Sequence, residues 1–194
     1  LHRLFEKHQV QFVSLNETFD TSSAVGRAML KLVLVFAELE REQTAERTRL
    51  AIQARAERGL WNGGAPPLGY DSLREGRLKV NPQEAEWVQA IFDKYLELRS
   101  THKVAGWLND QGYRQKRYSS RRKGEKGGKE FSISTVRNIL QSRLYLGEIE
   151  HKEQIFKGQH EPLIDLERFD RVRKIMEANT AVPTAGRAWS QYDY

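Results

Sequence analysis

The chain has 194 residues, 39% hydrophobic and 30% charged, with 32 Lys and Arg against 26 Asp and Glu for a net charge of +6. That length serves one ordinary domain, or two small ones joined by an extended element, and the mix is globular rather than disordered. The absence of cysteine excludes disulfides and thiolate metal sites and points to the reducing cytoplasm, and no apolar run is long enough to cross a membrane.

In chain order, residues 1–9 read as the end of an amphipathic helix and Val10–Leu15 as a short alternating strand. Together they suit the last α/β unit of a parallel sheet, and the abrupt start at Leu1 reads as a truncation. Asp20-Thr21-Ser22-Ser23 supplies N-cap candidates for a helix over 23–58, closed by Gly59. Such a helix runs about 54 Å at 1.5 Å per residue, too long for a small domain to bury.

Ala28–Ala37 is apolar on nearly every face, which asks for cover on more than one side: a sheet, and a second copy of the same helix. Beyond Glu38 the helix is charged. At 100° per residue Arg47, Arg55 and Arg58 share one face, while Glu42, Glu46 and Glu57 share the opposite one. Interleaved signs would suit a solvated helix laced with ion pairs; segregated signs suit a helix laid on a phosphate backbone.

Residues 59–70 (GLWNGGAPPLGY) form a Gly- and Pro-rich linker. Asn62, Gly63 and Gly64 read either as part of a plain flexible tether or as candidate DNA contacts, since glycine allows close backbone approach to a minor groove and Asn can meet the base edges there. Asn81-Pro82-Gln83-Glu84 then starts a helix with Ala85, Val88, Ile91, Phe92, Tyr95 and Leu96 as its apolar stripe. A second helix is expected over 101–111, with Val104, Trp107 and Leu108 inward and Gly112 as its stop. Trp87 and Trp107 are read as core residues.

Residues 114–129 (RQKRYSSRRKGEKGGK) carry Arg114, Lys116, Arg117, Arg121, Arg122, Lys123, Lys126 and Lys129 against Glu125 alone. This reads as a flexible basic loop that orders on phosphates. A short capped helix over 132–140 turns Val136, Ile139 and Leu140 inward. Its outward Ser134, Thr135, Arg137 and Asn138 suit phosphates and base edges, and Arg143 follows as a further DNA-contact candidate. Residues 145–151 and 154–157 read as a hairpin, a wing. His151 and His160 flank it as solvated loop residues, and the five histidines show no ligand spacing, so no metal or other cofactor is expected. A last helix over 165–179 turns Phe169, Val172, Ile175 and Met176 inward, and residues 180–194 read as a tail.

The segments Phe12–Glu17, Asp20–Ser23, Gly26-Arg27, Phe36–Arg41 and Glu46–Thr48 resemble the end of a resolvase/invertase catalytic domain and its long dimerisation helix. Pro67–Tyr70, Asn81-Pro82-x-Glu84-Ala85, Ile91-Phe92, Leu108-Asn109-x-x-Gly112, Val136-x-x-Ile139-Leu140, Tyr145–Gly147 and His160–Pro162 resemble the recombinase domain of the large serine recombinases. The resemblance spans roughly residues 10–178 in family order.

It implies a mainly α, α+β architecture: 1–58 as the remnant of an α/β resolvase-type catalytic domain with its long helix, 59–70 as linker, 71–179 as a winged-helix-like DNA-binding domain, and 180–194 as tail. It also implies a cytoplasmic enzyme that cuts and rejoins attachment-site duplex DNA through a phosphoserine link, as a homodimer that pairs into a synaptic tetramer. The family's nucleophilic serine would precede Leu1 and its zinc ribbon would follow Tyr194, so the chain itself is expected not to cut. Glu40 and Arg41 match a family position near the active site and synaptic interface. Two other readings stand beside this one. A stand-alone winged-helix regulator would share the basic contacts but not the segments before residue 40. A protein-interaction module would leave the basic segment unexplained.

Overall fold

A computed structural model of the chain describes residues 8, 23–120 and 124–181. His8 aside, the helix end expected over 1–9 and the strand at 10–15 lie outside the described residues. So do Arg121, Arg122, Lys123 and the tail after Ala181. The chain divides after Ile52 into two units.

The described part of the first unit is the leading portion of helix α1, Ala24–Glu57. It starts one residue inside the expected boundary because Ser23 is the cap: its Oγ accepts the Gly26 N–H at 2.9 Å. No glycine or proline interrupts the helix after Gly26. Its apolar positions Val25, Met29, Leu32, Val33, Leu34, Val35, Phe36 and Leu39 are all exposed.

In the second unit α1 ends on a Schellman motif. Gly59 takes φ +69°, its N–H reaches the Ala56 carbonyl at 2.8 Å, and the Leu60 N–H reaches Arg55 at 3.0 Å. A hairpin follows, β1 (Tyr70–Ser72) with β2 (Leu78–Val80), joined through a 3-10 turn at Arg74–Gly76. Then come α2 (Pro82–Leu98) and α3 (Thr101–Asp110). A second hairpin pairs β3 (Tyr118–Ser120) with β4 (Gly124–Lys126). Helix α4 (Ile133–Gln141), a 3-10 turn at Arg143–Leu146, a third hairpin of β5 (Glu148–His151) and β6 (Gln154–Lys157), and α5 (Leu166–Ala181) complete it.

The helices start where the sequence places caps. Asn81 Oδ1 accepts from Glu84 N at 3.3 Å, Ser100 Oγ from Lys103 N at 3.4 Å, Ser132 Oγ from Thr135 N at 3.2 Å, and Asp165 Oδ1 from Arg168 N at 2.8 Å. The stripes of α2–α5 meet in one core. Val88, Ile91, Phe92 and Tyr95 pack with Val104 and Leu108, with Val136, Ile139 and Leu140, and with Phe169 and Val172. Each such side chain contributes about 1.5–3 kcal/mol when fully buried. Trp87 and Trp107 flank this core as expected, their rings 5.1 and 5.9 Å from that of Tyr113.

Three expectations change. Residues 114–129 are not a loose loop but a two-stranded ribbon, with Tyr118 opposite Lys126 and Ser119 opposite Glu125. Its base is closed by Gln115 N–H to the Lys129 carbonyl at 2.9 Å and Gly128 N–H to the Gln115 carbonyl at 3.0 Å. The linker is tied at both ends, since Gly59, Leu60, Leu68, Gly69 and Tyr70 are buried and only the stretch between them lies outward. His160 is not a solvated loop residue. It is buried, edge-on to Tyr70 with ring centroids 5.2 Å apart, and its Nε2 is 2.7 Å from the Leu144 carbonyl oxygen.

Candidate nucleic-acid interface

A groove of about 820 Å³ runs across the second unit. One wall is the ribbon and its base, with Gln115, Lys116, Tyr118, Glu125, Lys126 and Lys129; the other is α4 and its C-cap, with Thr135, Asn138 and Ser142; Ala65–Leu68 from the linker exit line it as well. Three segments far apart in sequence thus present donors, three lysines, one glutamate and two prolines to one concave surface.

α4 turns Val136, Ile139 and Leu140 onto the core, which leaves Ile133, Ser134, Arg137 and Asn138 exposed and Thr135 half-buried. The hydroxyls at its start are linked: Ser132 Oγ lies 2.8 Å from Ser134 Oγ and 2.9 Å from Thr135 Oγ1. Gln115 joins the two walls, its Nε2 donating to the Glu130 carbonyl at 2.6 Å and to Thr135 Oγ1 at 3.3 Å. The start of α4 is fixed from behind by Asn109, which pairs with the Phe131 backbone in both directions.

The expected DNA-contact residues fall into two groups. Arg47, Arg58, Asn62, Gly63, Gly64, Arg117, Ser134, Arg137 and Asn138 are exposed. Arg58 stays outward, its Nε donating to the Ala54 carbonyl at 3.2 Å. The second group is engaged within the fold. Arg55 lies against Gly76 and donates to the Trp61 carbonyl at 3.2 Å, while its Nε is buried without a hydrogen-bond partner. Arg114 donates to the Asn109 and Tyr113 carbonyls and pairs with Glu130 at 3.6 Å. Arg143 Nε sits 2.6 Å from Glu148 Oε2. Lys116 is turned inward between Asp71 and Glu84, at 2.8 and 2.7 Å.

That cluster shifts its own titration. The Lys116 hydrogen bond, opposed by partial burial, holds Asp71 below the usual carboxylate range. Burial works against the Lys116 charge, yet hydrogen bonds to Asp71 and Glu84 raise it above the ordinary lysine value. In the first unit Arg41 lies 3.9 Å from Glu38 and both are widely exposed. Among the described residues no cluster of three or more metal-ligating side chains occurs, and no helix is long and apolar enough to cross a membrane.

Sequence reasoning missed Gln115 as the bridge between the walls and the β1–β2 hairpin with its exposed Arg74, Arg77 and Lys79. Strands of three residues carry no readable alternation, and the partner of Gln115 lies 20 positions away.

The geometry also explains why separated motif pieces belong together. Asn81 N–H bonds the Gly69 carbonyl at 2.9 Å, and Glu84 Oε2 accepts the Gly69 N–H at 3.1 Å, joining Pro67–Tyr70 to the start of α2. Tyr70 stacks on Tyr145 at 6.2 Å and donates its hydroxyl to the Glu161 carbonyl at 2.7 Å. Pieces spread over much of the chain therefore meet at one place. A family model described as Recombinase matches residues 82–179, and one described as Resolvase, N terminal domain, matches residues 1–61. The chain belongs to the large serine recombinases.

The chain is 39% identical over 93 residues to the transposon Tn917 resolvase of Enterococcus faecalis, covering 48% of this chain and 50% of that protein. It is 33% identical over 85 residues to the serine recombinase gin of Escherichia phage Mu, covering 43% of this chain and 44% of that protein. The chain thus spans about half the length of the curated relatives it matches.

Two solved structures resemble it at 26% identity. One, described as "Crystal Structure of a LSR-DNA Complex", gives a TM-score of 0.58 over 71% of this chain and 41% of that chain. The other, described as "Sequence Requirements of the Listeria innocua prophage attP site", gives 0.57 over 72% of this chain and 57% of that chain. Resolvase and Recombinase matches in that order give no support to a stand-alone winged-helix regulator.

Proposed function

We propose that this chain is the DNA-gripping and self-associating part of a site-specific serine recombinase acting on attachment-site duplex DNA. The observation that carries the proposal is the groove shared by the basic ribbon, the polar face of α4 and the linker exit. Phosphates are met by exposed cations, here Arg117, Lys126 and Lys129 of the ribbon segment and Arg58 just after the end of α1. Base edges are read by Arg137 and Asn138, the side chain types that suit guanine and adenine. The exposed Asn62-Gly63-Gly64 stretch follows the minor groove between these contacts and those of α1, a path open to a backbone without bulky side chains.

The unmatched apolar face of α1 supports self-association. Val25, Val35 and Phe36 are 74%, 62% and 63% exposed, and contiguous exposed apolar surface of this kind marks an interaction site. A homodimer through this face is the proposed solution state, with synaptic tetramers forming from it; Glu40 and Arg41 border that face as synaptic candidates.

Fluorescence anisotropy with a labelled random-sequence duplex tests the DNA proposal. Binding at micromolar protein and low salt supports it, and no binding under those conditions overturns it. Insertion of several Gly-Ser residues at Gly63-Gly64 tests the linker. Loss of site preference and of minor-groove protection supports a groove path, whereas unchanged preference marks a plain tether.

A further inference from the structure

Among the described cations of the basic segment, Lys116 is the most deeply buried. Only 11% of its side chain is exposed, and its Nζ lies between Asp71 Oδ1 at 2.8 Å and Glu84 Oε2 at 2.7 Å. Glu84 Oε2 also accepts the Gly69 N–H at 3.1 Å, and Asp71 Oδ2 accepts from Asn81 Nδ2 at 3.1 Å. One ammonium therefore joins the linker exit, β1, the first turn of α2 and the base of the ribbon.

The backbone of the same residue is equally confined. Gly127, at φ +89°, packs so closely on the Lys116 carbonyl that any side chain there would collide with it. Beside it, Gln115 reaches across to α4 through Thr135. The ribbon is thus braced on two sides at its root, by Gln115 toward α4 and by Lys116 toward α2. An ammonium already neutralised by two carboxylates in a half-buried setting has no charge left to offer a phosphate, and breaking such a pair exposes an uncompensated group.

We propose that Lys116 is a positioning residue: it does not touch DNA, but sets the ribbon's angle so that Lys126, Lys129 and the outward face of α4 address the same stretch of duplex. This inference rests on the DNA-binding reading above. It assigns Lys116 to site discrimination rather than to electrostatic grip, and so separates it from the exposed Arg117 beside it.

The test uses the full chain, its Lys116→Met variant and its Asp71→Asn variant. The probes are duplexes selected from a random pool by the unsubstituted chain and the unselected pool itself. Lys116→Met should keep the salt dependence of binding to the unselected pool, since no phosphate contact is lost. It should lower the preference for selected duplexes by at least about fivefold, the low end of one lost base contact. It should also speed amide exchange at Gly128 and Gln115 in the absence of DNA.

Asp71 is half exposed, so Asp71→Asn keeps the fold if Lys116→Met does not, and should move discrimination and exchange in the same direction. A log–log salt slope flattened by about 0.9 in Lys116→Met marks a phosphate contact and overturns the proposal. So does tighter binding by Asp71→Asn, the result expected if freeing the lysine released a DNA-binding charge. Unchanged discrimination or unchanged exchange also overturns it. If the unsubstituted chain binds no DNA, the functional reading fails, while the exchange measurement still decides whether Lys116 sets the ribbon.

Discussion

Asn109 and Phe131 exchange two hydrogen bonds: Asn109 Nδ2 donates to the Phe131 carbonyl at 3.0 Å, and the Phe131 N–H donates to Asn109 Oδ1 at 2.8 Å. The side chain acts as a short piece of strand, capturing the backbone where the ribbon hands over to α4. Phe131 itself is buried in the core, so its peptide group has little water to turn to. Asn109→Ala should therefore destabilise the fold by about 2–3 kcal/mol, the cost of leaving a buried donor and acceptor unpaired. Urea unfolding checks this. A change within about 0.5 kcal/mol would show that water replaces the amide and that α4 is held by its apolar face alone.

The joint between α1 and the rest of the second unit makes a second prediction. Gly59 needs a positive φ for the Schellman turn, and a Cβ there would press on the Lys157 carbonyl and the Gly158 and Gln159 backbone. Gln159 closes the contact, its N–H meeting the Gly59 carbonyl at 3.0 Å and its Nε2 the Arg58 carbonyl at 2.7 Å. Gly59→Ala should cost more than the roughly 1–2 kcal/mol of left-handed backbone strain alone. Proteolysis should then cleave near Leu60 faster than in the unsubstituted chain. Equal cleavage rates would show that the helix end is not held by the 157–160 loop.

Burial drives the pKa of His160 below its ordinary 6.5, opposed by the bond to the Leu144 backbone. The folded state thus keeps this imidazole neutral where the unfolded chain already binds a proton. Stability is present in full above pH 6.5 and falls as the pH drops below it, until the folded pKa is reached. The urea midpoint should decrease between pH 7.5 and 5.5, and His160→Gln should flatten that slope. A variant with the same slope as the unsubstituted chain would place the titration elsewhere.

Much of this was legible because local rules and tertiary packing agree. Asn81 and Ser132 cap the helices whose stripes they precede, and those stripes became the core. The ribbon was not legible. Its strands, Tyr118–Ser120 and Gly124–Lys126, carry no apolar alternation, and it exists through backbone pairing and the close approach at Gly127. The candidate site was half legible for a related reason. Charge density marked the right segment, but which cations face outward depends on partners far along the chain. Lys116 meets Asp71 and Glu84 from 45 and 32 positions away, and Arg55 is held by the Trp61 carbonyl beside Gly76.

The two kinds of DNA contact should separate by mutation. Arg137→Ala and Asn138→Ala should each reduce the preference for selected over random duplex by about 1–3 kcal/mol, because both sit on the outward face of α4. Lys126→Ala and Arg117→Ala should instead weaken both duplexes alike. Competition binding on the two DNAs reads this directly. Equal losses from Arg137→Ala on both would make α4 a backbone contact.

The most direct measurement of the central claim is the affinity for duplex DNA as a function of salt. With about six phosphates neutralised by the exposed cations of the ribbon, α4 and the end of α1, log K against log salt should fall with a slope of about −5, at roughly −0.9 per contact. A slope near zero would contradict the account, because the exposed basic groups around the groove would then not be meeting phosphates at all.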